Sequence, residues 1–160
     1  MRRFGAWPAW AFMALFFAVP LFPVVFGRLV FEPPMPDGQK PSLLIMLAPF
    51  SVGFSCYLVT IALADRFAEA LYMLSLFMFA VLVGRLRELG RCCPFRVSWW
   101  AVGFPLAATT IAALRYADLR PNAVTDGIAL VLLGFTTILL AGLALRTLLG
   151  IARGELRTLV

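Results

Sequence analysis

A proline lies in the middle of an apolar, nearly charge-free stretch, at position 105 of the segment from Ser98 to Tyr116. A proline inside a helix removes one backbone hydrogen bond and clashes with the carbonyl four residues before it. In lipid, the freed polar groups are tolerated only where protein or a water-filled cavity satisfies them. The segment is therefore predicted to be an interior helix of a membrane protein, which either lines a pore or packs in the core of a bundle.

The composition sets the fold class. Of the 160 residues, 62% are hydrophobic and 14% are charged, and the mean hydropathy is +0.95. A soluble core of this size cannot hide so much apolar surface. The chain is predicted to be an all-α integral membrane protein, with one membrane domain that fills residues 1–160 and about five transmembrane helices of roughly 20 residues each.

The predicted spans alternate between two types. Two spans contain an internal proline and small residues, and each precedes a proline-free span rich in large apolar residues. The spans are residues 7–26, 42–64 with Pro49, 67–84, 98–116 with Pro105, and 128–145. This repeat of hairpins predicts kinked helices inside and straight helices against the lipid bilayer.

Several function classes find no support. The chain has no histidine, and nearly all its carboxylates lie at the ends of the predicted spans. General acid–base chemistry therefore has no pair of groups to use, and we predict that the protein is not an enzyme and holds no cofactor. The adjacent Cys92 and Cys93 lack the spacing of a zinc site, and no metal is expected. No nucleic-acid partner is expected either.

The basic residues predict the orientation. The N-terminal tail and the two turns on its side of the membrane carry five arginines, and the other side carries nine basic residues. Because cytoplasmic loops carry an excess of Lys and Arg, the C-terminus is predicted to be cytoplasmic and the N-terminus outside. The expected location is the inner (plasma) membrane, which the chain crosses several times.

Separated motifs recur in one order along the chain. They are ProSerLeuLeuIleMetLeuAlaPro at 41–49, TrpTrpAla and PheProLeuAlaAla within 99–108, ArgTyr at 115–116 and ArgGlyGluLeu at 153–156. These motifs resemble the tellurite-resistance/dicarboxylate transporter family, which includes bacterial TehA-type proteins and the plant slow-type anion channels. The resemblance implies five helical hairpins around a central anion pore, trimeric assembly, and a match to the last five of ten helices.

The resemblance also implies roles for individual residues. Phe104 matches the phenylalanine that plugs the family's pore, and Pro49 and Pro105 match the kinks of inner helices. Phe50 departs from the family pattern, which often has a second proline there, and it would add a bulky group to the pore. The remaining pore-lining candidates are Ser51, Ser55, Ala108 and Thr109.

Three functions follow from these features as alternatives. The first is passive conduction of small anions through a pore gated by Phe104 and completed by an N-terminal half or a partner. The second is secondary transport of C4-dicarboxylates such as malate, or transport related to tellurite. A coupled transporter needs a mid-membrane ion site, for which the sequence offers no carboxylate. The third is a non-transporting membrane scaffold or a truncated remnant.

Overall fold

The computed structural model describes residues 20–28, 31, 44–61, 65–92 and 97–154. Within these residues the regular secondary structure is entirely helical. The α-helices are α1 (residues 20–28), α2 (Ala48–Ile61), α3 (Arg66–Cys92), α4 (Gly103–Leu119) and α5 (Ala123–Ala152). Two 3₁₀ segments, at residues 44–47 and Val97–Val102, lead directly into α2 and α4.

Both proline-containing spans change helix type just before the proline. Pro49 is the second residue of α2 and Pro105 is the third residue of α4, so each proline lies in the first α-helical turn. A proline is tolerated there because N–H groups of the first turn have no partner within the α-helix. In an α-helix the carbonyl four residues before the proline would lack its N–H partner. In 3₁₀ geometry each carbonyl pairs with the N–H three residues ahead, so that carbonyl pairs with the residue just before the proline. The predicted kink inside a continuous α-helix is thus replaced by a junction between helix types.

The straight helices begin differently. Asp65 precedes α3 and accepts hydrogen bonds from the backbone N–H groups of Phe67 and Ala68. Asn122 is the N-cap of α5, and its side chain accepts from the N–H of Val124 at 2.9 Å. These caps satisfy N–H groups that have no partner within the helix. No side-chain cap is present at α4, where the preceding 3₁₀ segment runs into the helix.

The described helices differ in how much of their surface is packed. Helix α4 lies between α2 and α5 and also contacts α3. It buries nine of its 17 residues, which are Gly103, Pro105, Leu106, Thr109, Thr110, Ala112, Ala113, Tyr116 and Ala117. Over their most apolar 18 residues, the spans 66–84 and 123–152 are only 17% and 22% buried, against 39% for the span 44–61. The straight helices therefore present most of their apolar surface outward, as lipid-facing helices do.

Two layers of core hold the inner helices together. The first layer joins the beginnings of the two proline-containing spans. Leu44 and Leu47, before α2, pack with Val102 and Leu106, at the beginning of α4, and each is at most 1% exposed. The second layer lies further along the helices, where Phe54, Tyr72 and Tyr116 form an aromatic cluster around the small Ala112 and Ala113. The rings of Tyr72 and Tyr116 stack with centroids 4.1 Å apart. Small residues therefore lie at the contact between helices, where they allow the backbones to approach closely.

Several predicted boundaries require correction. The predicted span 67–84 ends too early, because α3 continues beyond the apolar segment through its basic end to Cys92. Helix α5 exceeds the predicted span 128–145 at both ends. Among the described residues, three helical stretches, 44–61, 66–84 and 123–152, are long and apolar enough to cross a membrane. Most of the predicted first span and of the proline-rich segment 31–41 lies outside the described residues.

The hydroxyl pair of Thr110 and Thr136 links α4 to α5 at an oxygen-to-oxygen distance of 2.8 Å, and both side chains are buried. We expect Thr110→Val to lower the free energy of unfolding by ~1 kcal/mol, as is typical for hydrogen bonds between membrane helices. Thr136→Val should have a similar effect, and the double variant should lose less than the sum. The measurement is unfolding of the purified protein in detergent. Thr137→Val, at an exposed position, is the control, and an equal loss there would contradict the assignment.

Candidate pore-lining site

One face of the inner helix α4 is left uncovered by the other described helices. Phe104, Ala108, Ile111 and Arg115 follow one another at spacings of four, three and four residues, so they share one side of the helix. Phe104 is 64% exposed, Ile111 is 48% exposed, Arg115 is exposed and Ala108 is half-buried. We call these four residues the open stripe. The packed face of α4, which holds Leu106, Thr109 and Thr110, is on the other side.

Phe104 lies at the beginning of the open stripe. Its neighbours Gly103 and Pro105 are buried, and Leu106 is fully buried in the first core layer. Phe104 itself belongs to neither of the two core layers. The residue that the family resemblance predicts to plug a pore therefore has its side chain largely exposed.

The other bulky candidate, Phe50, has a packing partner. Its ring makes an edge-to-face contact with Phe22 of α1, with the centroids 5.1 Å apart. Phe22 in turn stacks on Phe26 one turn later. Phe50 is half-buried, and it joins α1 to the beginning of α2.

The two buried hydroxyl candidates bond within their own spans. The Ser51 hydroxyl donates to the carbonyl of Leu47 at 3.2 Å, and the Thr109 hydroxyl donates to the carbonyl of Pro105 at 2.9 Å. Both side chains are fully buried. Ser55 and Ala108 are half-buried and lie nearer to the uncovered surface. The structure thus brings Phe104 and Ala108 together on the open stripe, with Ser55 beside its far end, and places Ser51 and Thr109 in the packed interior.

Arg115 is a functional candidate that the sequence analysis did not identify. One of its guanidinium nitrogens, Nη1, donates to the backbone carbonyl of Ser55 on α2 at 3.2 Å. The side chain therefore connects the two inner helices at the end of the open stripe opposite Phe104. The sequence signal was available, because position 115 is 11 residues after position 104 and three helical turns bring it back to the same face.

A second group of polar contacts lies at the same end of the bundle, away from the open stripe. The Tyr57 hydroxyl donates to Asp65 Oδ2 at 2.6 Å and joins the end of α2 to the beginning of α3. Arg120 forms an ion pair with Glu69 at 3.0 Å, between the turn after α4 and the first turns of α3. These contacts fix the helix ends around the outer hairpin. Among the described residues, no three His, Cys, Asp or Glu side chains lie close enough together to hold a metal ion.

The sequence of this chain is similar to the sequences of known anion channels. The family model described as "SLAC1: Voltage-dependent anion channel" matches residues 5–148. Of the similar Arabidopsis thaliana proteins, S-type anion channel SLAH3 is 26% identical over 81% of this chain and 20% of its own length. S-type anion channel SLAH1 is 25% identical over 79% of this chain and 33% of its own length. The chain thus spans a fifth to a third of these curated relatives, and no solved structure matches it.

Asp65 provides a test of the polar contacts. The Tyr57 hydroxyl and the N–H groups of Ala68 and Phe67 stabilise the carboxylate and lower its pKa below the ordinary value. A lowered pKa stabilises the folded state fully above the unfolded pKa of about 4, and the contribution is lost as the pH falls through the folded pKa. We expect Asp65→Ala to lower the midpoint temperature of unfolding at neutral pH, and the difference from wild type to shrink below pH ~4.

Asp65→Asn is the matched variant for this experiment. It keeps an oxygen that can cap α3 but cannot carry the charge. Its midpoint should lie between those of wild type and Asp65→Ala at neutral pH. A difference between wild type and Asp65→Ala that stays constant from neutral to acidic pH would show that the charge of Asp65 plays no part.

Proposed function

Since the chain belongs to the SLAC1 family of voltage-dependent anion channels, we propose that it supplies inner helices to a passive conduit for small anions that is gated by Phe104. The observation that carries the proposal is the open stripe. It places an exposed phenylalanine on the innermost described helix, at the junction where the helix changes type. A ring held there by backbone geometry blocks by its volume and by its apolar face, which disfavours a hydrated ion.

The pore needs more helices than those described. Two proline-containing helices, α2 and α4, lie side by side and cannot surround a channel. The uncovered surface of α4 supports completion by further inner helices, from another segment of the protein or from another chain. In the family's ten-helix arrangement, α2 to α5 would then be two of the five hairpins.

Passive conduction is favoured over coupled transport by the placement of charge. The carboxylates of the described residues are Asp65, Glu69, Glu88, Asp118 and Asp126, and each lies at or near a helix end. Coupled transporters bind their driving ion near the bilayer midplane, where acidic side chains are conspicuous. Transport of C4-dicarboxylates and a scaffold without transport are the alternatives. The first would show substrate flux that depends on an ion gradient, and the second would show no flux.

Phe104→Ala tests the gate. Because Phe104 is 64% exposed and belongs to neither core layer, its truncation should raise chloride or nitrate current through the reconstituted native assembly while the midpoint of thermal unfolding stays nearly unchanged. Phe54→Ala is the matched control, since it removes the same ring from a fully buried position on the neighbouring inner helix. That change should cost ~3–5 kcal/mol of stability. Unchanged current in Phe104→Ala with a stability loss as large as that of Phe54→Ala would assign Phe104 to the core.

The orientation is a separate proposal, supported by nine basic residues on one side and five on the other. We expect the C-terminus to be cytoplasmic and the N-terminus outside, in the plasma membrane. Alkaline phosphatase, which is active only outside the cytoplasm, should be inactive when fused after Val160, and a fluorescent protein that matures only in the cytoplasm should remain dark when fused before Met1. The opposite pattern would reverse the assignment.

A further inference from the structure

Two arginines lie at the same end of the bundle and differ in what they contact. Arg120 is neutralised by its ion pair with Glu69. Within the described residues, Arg115 makes one hydrogen bond, to the uncharged carbonyl of Ser55, and no carboxylate lies within ion-pair distance of it. A guanidinium carries five N–H donors and is always charged. Arg115 therefore keeps most of its donors and its full charge available.

Arg115 carries this charge on the same side of α4 as Phe104. It shares the open stripe with Phe104, about 16 Å away along the helix axis at a rise of 1.5 Å per residue. Ile111 lies between them, one turn from Arg115, and is also exposed. Whatever passes along the stripe between Phe104 and the end of α4 must pass the guanidinium.

We propose that Arg115, held against the Ser55 carbonyl, is an anion-binding residue at the mouth of the pore, where it concentrates small anions ahead of the Phe104 constriction. The proposal rests on the proposed function, in which the open stripe lines the pore, and it adds a specific residue and a ligand class. The Ser55 carbonyl takes one N–H and fixes the direction of the side chain. The remaining donors form a planar fork that can bind a halide or a small oxyanion.

A purely structural role makes a different prediction. If Arg115 served only to join α4 to α2, its contribution would depend on the hydrogen bond to Ser55 and not on ionic strength. A charge that recruits anions in water acts through its field, which salt screens. Charge-conserving and charge-removing variants, compared at two salt concentrations, therefore distinguish the two roles.

The first experiment measures chloride conductance of the native assembly in planar bilayers. Salt concentrations of about 0.01 M and about 1 M give Debye lengths of roughly 30 Å and 3 Å. Arg115→Gln should lower conductance roughly threefold at the lower concentration, the effect of one unit charge acting across several Å of water, and leave it nearly unchanged at the higher one. Arg115→Lys should retain most of the wild-type conductance. Arg120→Gln, which removes a charge from the same end but off the stripe, is the control and should have little effect.

The second experiment does not require conduction. The chain has three cysteines, Cys56, Cys92 and Cys93, which are replaced by serine so that Ile111→Cys provides a single thiol on the open stripe. The thiol is labelled at low salt with an anionic and a cationic methanethiosulfonate of similar size. With Arg115 present the anionic reagent should be favoured. Arg115→Gln should lower the ratio of the two rates roughly tenfold, because each rate changes roughly threefold in opposite directions.

The outcomes separate the two proposals. A rate ratio that depends on Arg115, in an assembly that conducts no anion, would support the anion site and overturn the proposed channel function. A current that Phe104→Ala raises but Arg115→Gln leaves unchanged at low salt would overturn the anion site alone. An equal loss of conductance in Arg115→Gln and Arg115→Lys at both salt concentrations would assign Arg115 to a structural contact. If the thiol of the Ile111→Cys variant reacts with neither reagent, the stripe is not open to water, which also overturns the site.

Discussion

The missing N–H of a proline inside a membrane is the constraint on which this structure depends. Both Pro49 and Pro105 are accommodated in the same way, by a 3₁₀ segment that ends just before the proline and an α-helix that begins there. Irregular backbone of this kind must be shielded from lipid. The two spans accordingly pack against each other through Leu47 and Leu106 at these junctions, and the straight helices cover their outer sides.

The same arrangement produces the candidate site. Once one face of α4 packs against α2 and α5, the opposite face is left with Phe104 at one end and Arg115 at the other. The apolar ring and the charge are then separated by three turns of one rigid helix, and the proposed recruitment of an anion and its proposed obstruction are assigned to different depths. The cap at Asp65 and the ion pair of Arg120 belong to the outer hairpin and leave this face clear.

Much of the fold was predictable, and so was the family. Apolar segments free of charge located the straight helices, and the alternation of proline-containing and proline-free spans matches the difference in burial between the span 44–61 and the spans 66–84 and 123–152. The motifs around Trp99 to Ala108 identified the family that the comparison confirmed. Boundaries were less accurate, because α3 continues to Cys92 where loss of hydropathy suggested a loop. A helix that has left the membrane can continue in water, and hydropathy marks only the part in lipid.

The sequence by itself determined that the chain is helical and belongs in a membrane, because backbone hydrogen bonding in lipid permits little else. Tertiary structure alone decided which side of each inner helix is packed. Ser51 and Thr109 look like polar pore-lining residues in the sequence, yet both are buried and bonded to carbonyls of their own spans, whereas Arg115 looks like a loop-side charge and lies on the open face. The rotation of each inner helix about its own axis decides which side chains are packed, and this rotation depends on the shapes of the neighbouring helices. In spans that are apolar all round, periodicity does not reveal it.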